Sequence, residues 1–320
     1  MFNKQDYHKS WIIILLTVLT MIGTGLPSLV GAEDPIKIGI LQYVDHDALN
    51  AVNQGFVEEL QASSLADRIE LDVQNANGDQ SSLQSLGEKL ARDNDILFAI
   101  ATPAAQALAT LEGDKAIFMA AVTDPVEAGL VDSLDKPGRN VTGTSDMAPL
   151  DQQVDLLVNN FPEAQTVGLI YNSSEVNSQV QVDEAKVLLE KAGLKTEVAT
   201  VTGTNDIAQV LNSLVKKVDA MFMVTDNTID SAISLVGDTA KEAGIPTIGS
   251  SDSVVLKNGL ATVSNSYEDY GRQTARMLIR MVEEDLEPAN MPVEKGDAFR
   301  VIVNKEFAEA IGLDLSLIHI

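Results

Sequence analysis

Asp95-Ile96-Leu97-Phe98-Ala99-Ile100 is an apolar run of strand length, and Ala101-Thr102-Pro103-Ala104-Ala105 continues it without a gap. A run with no polar alternation reads as a strand buried on both faces, the habit of a parallel sheet covered by helices. The residues after it form a helix start: Thr102 is an N-cap type, and Pro103 stands at a helical position whose N–H would have no partner anyway. The same phrase recurs later. Asp219-Ala220-Met221-Phe222-Met223-Val224 is again apolar and again runs into polar helix starters, Asp226-Asn227. Placing Asp95 on Asp219 makes the chain two similar α/β halves, an internal duplication; two unrelated domains of generic buried strands would align in the same way.

Working outward, Ile36 to Leu41 is a β-rich run, and Leu49, Val52, Phe56 and Leu60 then recur at helical spacing. Arg68 to Val73 and Ala116 to Val122 supply further strands, with a helix marked by Leu83, Leu86 and Leu90 between them. The second half repeats the order through Thr166 to Tyr171, a helix to about Ala192, Thr196 to Val201, the helical face of Ile207, Val210, Leu211 and Leu214, and Pro246 to Gly249. Strands alternating with helices imply right-handed βαβ units. The fold class is therefore α/β: two Rossmann-like lobes with parallel central sheets, joined by a hinge that the chain crosses several times. Val141 to Asp146 is expected to carry the chain across, and Tyr267 to Met281 to form a long amphipathic helix on its return. Phe299 to Val303 is then expected as a late strand of the first lobe. Residues 33–147 and 266–314 form lobe 1, and residues 148–265 form lobe 2. A ligand site belongs in the cleft at the carboxyl ends of the strands.

The 320 residues carry 47 Asp and Glu against 22 Lys and Arg, a net charge of −25, with no Cys. That charge repels nucleic acid and anionic lipid, and without Cys there is no disulfide framework and no lipid-modified Cys. Lys4 and Lys9 precede an apolar run from Trp11 to Ile22 and the small-residue site Val30-Gly31-Ala32. This is the form of a secretory signal peptide, residues 1–32, cleaved after Ala32. An uncleaved anchor extended to Val30 is the alternative. Residues 315–320, Leu-Ser-Leu-Ile-His-Ile, read as a non-native tail.

Of the three His, only His46 lies inside the folded pattern, and no G-x-S-x-G, Walker A or G-x-G-x-x-G motif is present. Catalysis, a metal and a cofactor are accordingly not expected. The informative residues are the polar groups that end the strands. Thr102 with Ala104 and Ala105 leaves backbone N–H groups open to a carboxylate. Thr123-Asp124-Pro125, Asn172-Ser173-Ser174-Glu175 and Asp226-Asn227-Thr228 end other strands on the same side. Their carboxylates suit an ammonium group, so together the clusters suit a zwitterion, with plain helix capping as the alternative for each. Tyr43 and Tyr171 hold matching places after the first strand of each lobe, for stacking on a ligand or for core packing.

At these motifs the chain resembles the substrate-binding proteins of ABC transporters, in the tryptophan and aromatic amino acid-binding group with the type I periplasmic-binding fold. The resemblance runs from about Ile36 to Leu315, through Ile38-Gly39-Ile40-Leu41-Gln42-Tyr43, Asn77-Gly78-Asp79, Ala101-Thr102-Pro103-Ala104-Ala105-Gln106, Ala121-Val122-Thr123-Asp124-Pro125, Pro137-Gly138-Arg139-Asn140-Val141-Thr142-Gly143 and Tyr171-Asn172-Ser173-Ser174-Glu175. It implies a monomeric, secreted or surface receptor that closes on tryptophan or another aromatic amino acid and presents it to a membrane permease. The family's cleft, carried onto this chain, implicates Tyr43, His46, Thr102, Ala104, Ala105, Thr123, Asp124, Ser145, Tyr171, Ser173, Glu175, Asn177, Asp226, Asn227 and Ser250. A regulatory protein of the same fold and an extracellular hydrolase are the rival readings. The first predicts a basic DNA-binding head, which is not seen in the sequence.

Overall fold

The computed structural model describes residues 34–111, 113–296 and 298–314, so the readings made for residues 1–32 and 315–320 lie outside the described residues. The folded body begins at Ile36. Its first half runs β1 (Ile36–Gln42), α1 (Asp47–Gln61), β2 (Ile69–Asn75), α2 (Gln80–Asp93), β3 (Ile96–Ile100), α3 (Thr102–Ala109), β4 (Ile117–Val122) and β5 (Val141–Ser145). The second runs α4 (Leu150–Asn160), β6 (Thr166–Asn172), α5 (Val176–Lys191), β7 (Lys195–Val201), α6 (Thr204–Leu214), β8 (Ala220–Met223), α7 (Asn227–Ser231), α8 (Ile233–Ala243), β9 (Thr247–Gly249), α9 (Asp252–Asn258) and β10 (Ala261–Ser264). The chain then returns through α10 (Tyr267–Glu284), β11 (Glu294–Lys295), β12 (Arg300–Val303) and α11 (Lys305–Ala310).

Two six-stranded sheets result, ordered β11-β5-β4-β3-β1-β2 and β12-β10-β9-β8-β6-β7. The five strands after the leading one hold equivalent places in both, which is the repeat seen in the sequence. The first sheet is parallel throughout, and the second is parallel except where β12 lies antiparallel to β10. Every residue of β3 and of β8 is buried. Helices cover both faces, as a continuous apolar run requires. In the first core the Phe56 ring of α1 stacks on Phe98 of β3, with centroids 3.8 Å apart.

One assignment needs correction. Phe299 to Val303 does not join the first lobe: β12 pairs with β10, Ala261 opposite Val303, in the second sheet. Phe307 and Ala308 of α11 are buried in the second core, with Phe299, Val301 and Val303 packed against it. Residues 300–310 thus belong with lobe 2, whereas α10 and β11 stay with the first sheet's half. The reason is physical: β10 had an open edge and an apolar margin beside it, and which open edge a short strand finds is not encoded in the strand itself. Likewise β5 is a full member of the first sheet, and the crossing begins only at Asp146.

Candidate functional site

The strands of both sheets end toward one another. A cavity of about 550 Å³ lies between them, walled by Tyr43, Asn77, Pro103 and Gln106 from the first lobe and by Glu175, Thr204 and Thr228, among others, from the second. Glu175 is the one charged side chain among its described lining residues.

Second-lobe chemistry is built around the start of α7. Asp226 is its N-cap: one carboxylate oxygen accepts from Ile229 N at 2.8 Å, and the other accepts from Asn172 N, at the end of β6, at 2.6 Å. Glu175 serves the same helix start. Its Oε2 accepts from Asn227 N and Nδ2, at 3.1 and 2.6 Å, and its Oε1 accepts from Thr228 N and Oγ1, at 3.0 and 2.7 Å. Both acids are buried, and burial plus the neighbouring Glu175 pushes Asp226 up to about 7. The pair is thus a helix-capping device first. Two donors hold Asp226, and Glu175 accepts from five, the fifth being Asn177 Nδ2 at 3.5 Å, so both carboxylates are largely committed to the fold.

First-lobe groups come from the ends of β1, β3 and β4. Tyr43 is buried on the cavity wall, its hydroxyl pushed up to about 12 by burial and by the charge of Glu175. Thr102 opens α3 behind Ala101, whose φ of 83° lies where glycine is favoured. Strain of that kind persists only where surrounding structure enforces it, and it clusters at working sites. The Thr102 hydroxyl is buried without a hydrogen-bond partner, as are His46 Nδ1, Asp146 Oδ1 and Asn177 Oδ1. Ala104 and Ala105 are buried, and the Ala105 N–H already donates to Ala101 O, so it is closed to a ligand.

Not every expected residue converges here. Asp124 caps its own turn, accepting from Val126 N and Glu127 N. Tyr171 belongs to the second core, its hydroxyl donating to Gln179 at 2.6 Å. Ser173 is exposed, and its neighbour Ser174 lines the cavity instead. Ser145 donates to Thr123 O, and Ser250 to Asp230. Three buried groups went unread in the sequence: Asp146, which accepts from Tyr267 OH at 2.6 Å, Asp230, and Tyr267 itself. Both acids are pushed up, chiefly by burial. Nothing in their local sequence marks them, because a lone Asp after a strand or inside a short helix has the look of surface. Among the described residues no group of three His, Cys, Asp or Glu is placed to hold a metal ion, and no helix is long and apolar enough to cross a membrane.

The lobes also touch. Gln181 Nε2 donates to Thr123 Oγ1 at 3.3 Å, His46 Nε2 meets Asn227 Oδ1 at 3.4 Å, and Lys257 pairs with Asp47 at 3.0 Å. Two like lobes enclosing a cavity at their polar strand ends define a protein built to bind a small molecule.

The chain belongs to the ABC transporter substrate binding protein family, which it matches over residues 37–316. It is 37% identical over 280 residues to a tyrosine-binding protein of Clostridioides difficile, covering 87% of this chain and 81% of that one. It superposes with a TM-score of 0.84, at 38% identity, on a Streptococcus pneumoniae ABC domain in complex with L-Trp, covering 89% of this chain and 97% of that one. Against the ligand-free, open structure of a substrate-binding protein with adhesive properties from Clostridium difficile, the TM-score is 0.67 at 40% identity, covering 87% and 95%. At similar identity the superposition is better on the L-Trp complex than on the ligand-free, open structure. A leucine-binding protein of Thermotoga maritima shares the fold alone, at 12% identity and a TM-score of 0.62. The fold is the type I periplasmic-binding fold.

Proposed function

We propose that this substrate-binding protein captures one aromatic L-amino acid, tryptophan or tyrosine, in the interlobe cavity and delivers it chemically intact to an ABC permease outside the cytoplasm. The observation that carries the reading is the cavity wall, which holds amides, hydroxyls and Tyr43 but, among its described lining residues, no Lys or Arg and one acid. A second negative charge on the ligand would find no counter-charge there, and a neutral zwitterion needs none. The carboxylate end faces the start of α3, where Pro103 and Gln106 line the cavity, the buried Thr102 hydroxyl beside them has no partner and the helix dipole is favourable. The ammonium end faces the second lobe, where Glu175 is the one charged side chain among the described lining residues. Tyr43 supplies a flat wall for an aromatic ring. The similarity to a tyrosine-binding protein and to an L-Trp complex supports the ring. The protein acts as a monomer without a cofactor.

Isothermal calorimetry with L-tryptophan, L-tyrosine and L-glutamate tests this. One aromatic amino acid is expected to bind and L-glutamate is not, and Thr102→Val is expected to weaken binding about tenfold, the worth of one hydrogen bond to a charged group. Tight binding of L-glutamate, or of none of the three, would overturn the reading.

A further inference from the structure

We propose that Glu175, Asn227 and His46 form an interlobe latch: Glu175 fixes the Asn227 side chain so that its oxygen receives a neutral His46 imidazole, and cleft closure therefore expels a proton from His46. The latch rests on the two-lobed receptor reading and adds its regulation.

The orientation comes first. Asn227 Nδ2 is committed to Glu175 Oε2, so its Oδ1 is the atom left to face the other lobe. His46 Nε2 lies 3.4 Å from that oxygen. An amide oxygen only accepts, so Nε2 must carry the imidazole proton. Nδ1 is then bare, buried and without a partner. A second proton placed there would meet no acceptor, and a buried unpaired charge is costly. His46 is the N-cap residue of α1 but makes no side-chain cap, so its ring is free for this cross-lobe role.

The charges around His46 do not rescue an imidazolium. Asp45 and Asp47 flank it on its own segment, but the Asp45 carboxylate accepts from Asn50 Nδ2 at 2.7 Å, and Asp47 is paired with Lys257 of α9. Lys257 and the N–H end of α1 both oppose a positive ring. On the α7 side Glu175, with Asp226 and Asp230 behind it, already answers backbone and side-chain donors. Burial, the largest influence, lowers His46 from 6.5 to about 4. The latch requires that the open cleft expose the ring and return it to its ordinary value of 6.5. Closure is then fully favoured above pH 6.5 and weakens as pH falls through the window down to about 4. At pH 5.0 the closed-to-open ratio is expected to drop roughly thirtyfold from its pH 7.5 value. An amino acid stays zwitterionic across most of that window, so the receptor and not the cargo senses acid, holding its ligand at neutral pH and loosening in acidified surroundings.

The chain contains no Cys, so spin labels can be placed at Ser85→Cys on α2 and Ala208→Cys on α6, one on each lobe. Interlobe distances are measured by pulsed electron resonance at pH 7.5 and 5.0, with and without saturating L-tyrosine, in His46 and His46→Gln backgrounds. Gln keeps an amide N–H at the reach of Nε2 but cannot titrate, and His46→Asn serves as a second non-titrating background. The short-distance population is expected to fall at least tenfold relative to the long one on acidification with His46, and less than twofold with Gln or Asn. Equal behaviour of the three backgrounds overturns the latch. Failure of L-tyrosine to shorten the distance at pH 7.5 counts against tyrosine as the ligand, and the ligand-free comparison then judges the latch alone.

Discussion

Asp226 shows how one side chain can be read two ways. By residue type and place it is a carboxylate at a cleft, suited to an ammonium group. In the fold its two oxygens accept from Ile229 N and from Asn172 N, at 2.8 and 2.6 Å, so it pins the start of α7 to the end of β6. Removing it strands two buried N–H donors, each costing about 1–3 kcal/mol when left unsatisfied, while relief of repulsion from Glu175 offsets part of that. Asp226→Ala is therefore expected to lower unfolding stability by about 2 kcal/mol, measured by urea denaturation. An unchanged midpoint with weakened ligand binding would return Asp226 to the role of ligand counter-charge. The sequence made Asp226 legible as important but not as structural, because Asn172 lies 54 positions away and only the parallel pairing of the lobe brings the two together.

The helices that carry these residues are set by close backbone approaches. Gly55 of α1 and Gly271 of α10 face each other's helices: a Cβ on Gly271 would lie 2.0 Å from Val52 O, and one on Gly55 would lie 2.1 Å from Glu268 O. Arg272 adds ion pairs to Glu58 and Glu268 beside this contact. Since α1 begins beside His46 and α10 begins with Tyr267, which donates to Asp146, the crossing fixes both ends of the first-lobe wall. Gly271→Ala must push the helices apart and is expected to cost at least about 2 kcal/mol, lowering Tm by about 4–8 °C in a thermal melt. A variant as stable as the parent would mean that the helices separate freely. The strands themselves were legible from apolar runs such as Ile96 to Ile100, and the helices from their spacing. The partner of β12 was not: a four-residue strand says little about which sheet receives it, and the free edge of β10 decided the matter.

At the scale of the whole molecule, the two lobes bury acids that their surface charge alone would not suggest. Asp146, Asp226 and Asp230 are each pushed above the ordinary carboxylate value, with burial the leading cause in all three. A folded protein holding such groups binds more protons than its unfolded chain. The resulting stability is full below the ordinary value of 3.8 and is lost as pH rises through the folded value, about 7 for Asp226. His46 has the opposite sign, since its value is lowered to about 4, so its contribution is present above 6.5 and fades only below that. Between pH 8 and pH 6.5 Asp226 therefore titrates while His46 does not, and protonation also relieves a net charge of −25. One unit of differential protonation is worth about 1.4 kcal/mol per group. Scanning calorimetry is expected to show Tm rising by about 3–6 °C from pH 8 to pH 6.5 and then levelling as His46 begins to oppose it. A Tm that instead falls steadily over the upper interval would mean the buried carboxylates are ionised and well satisfied in the fold, and that the acidic core contributes nothing to the pH response of the receptor.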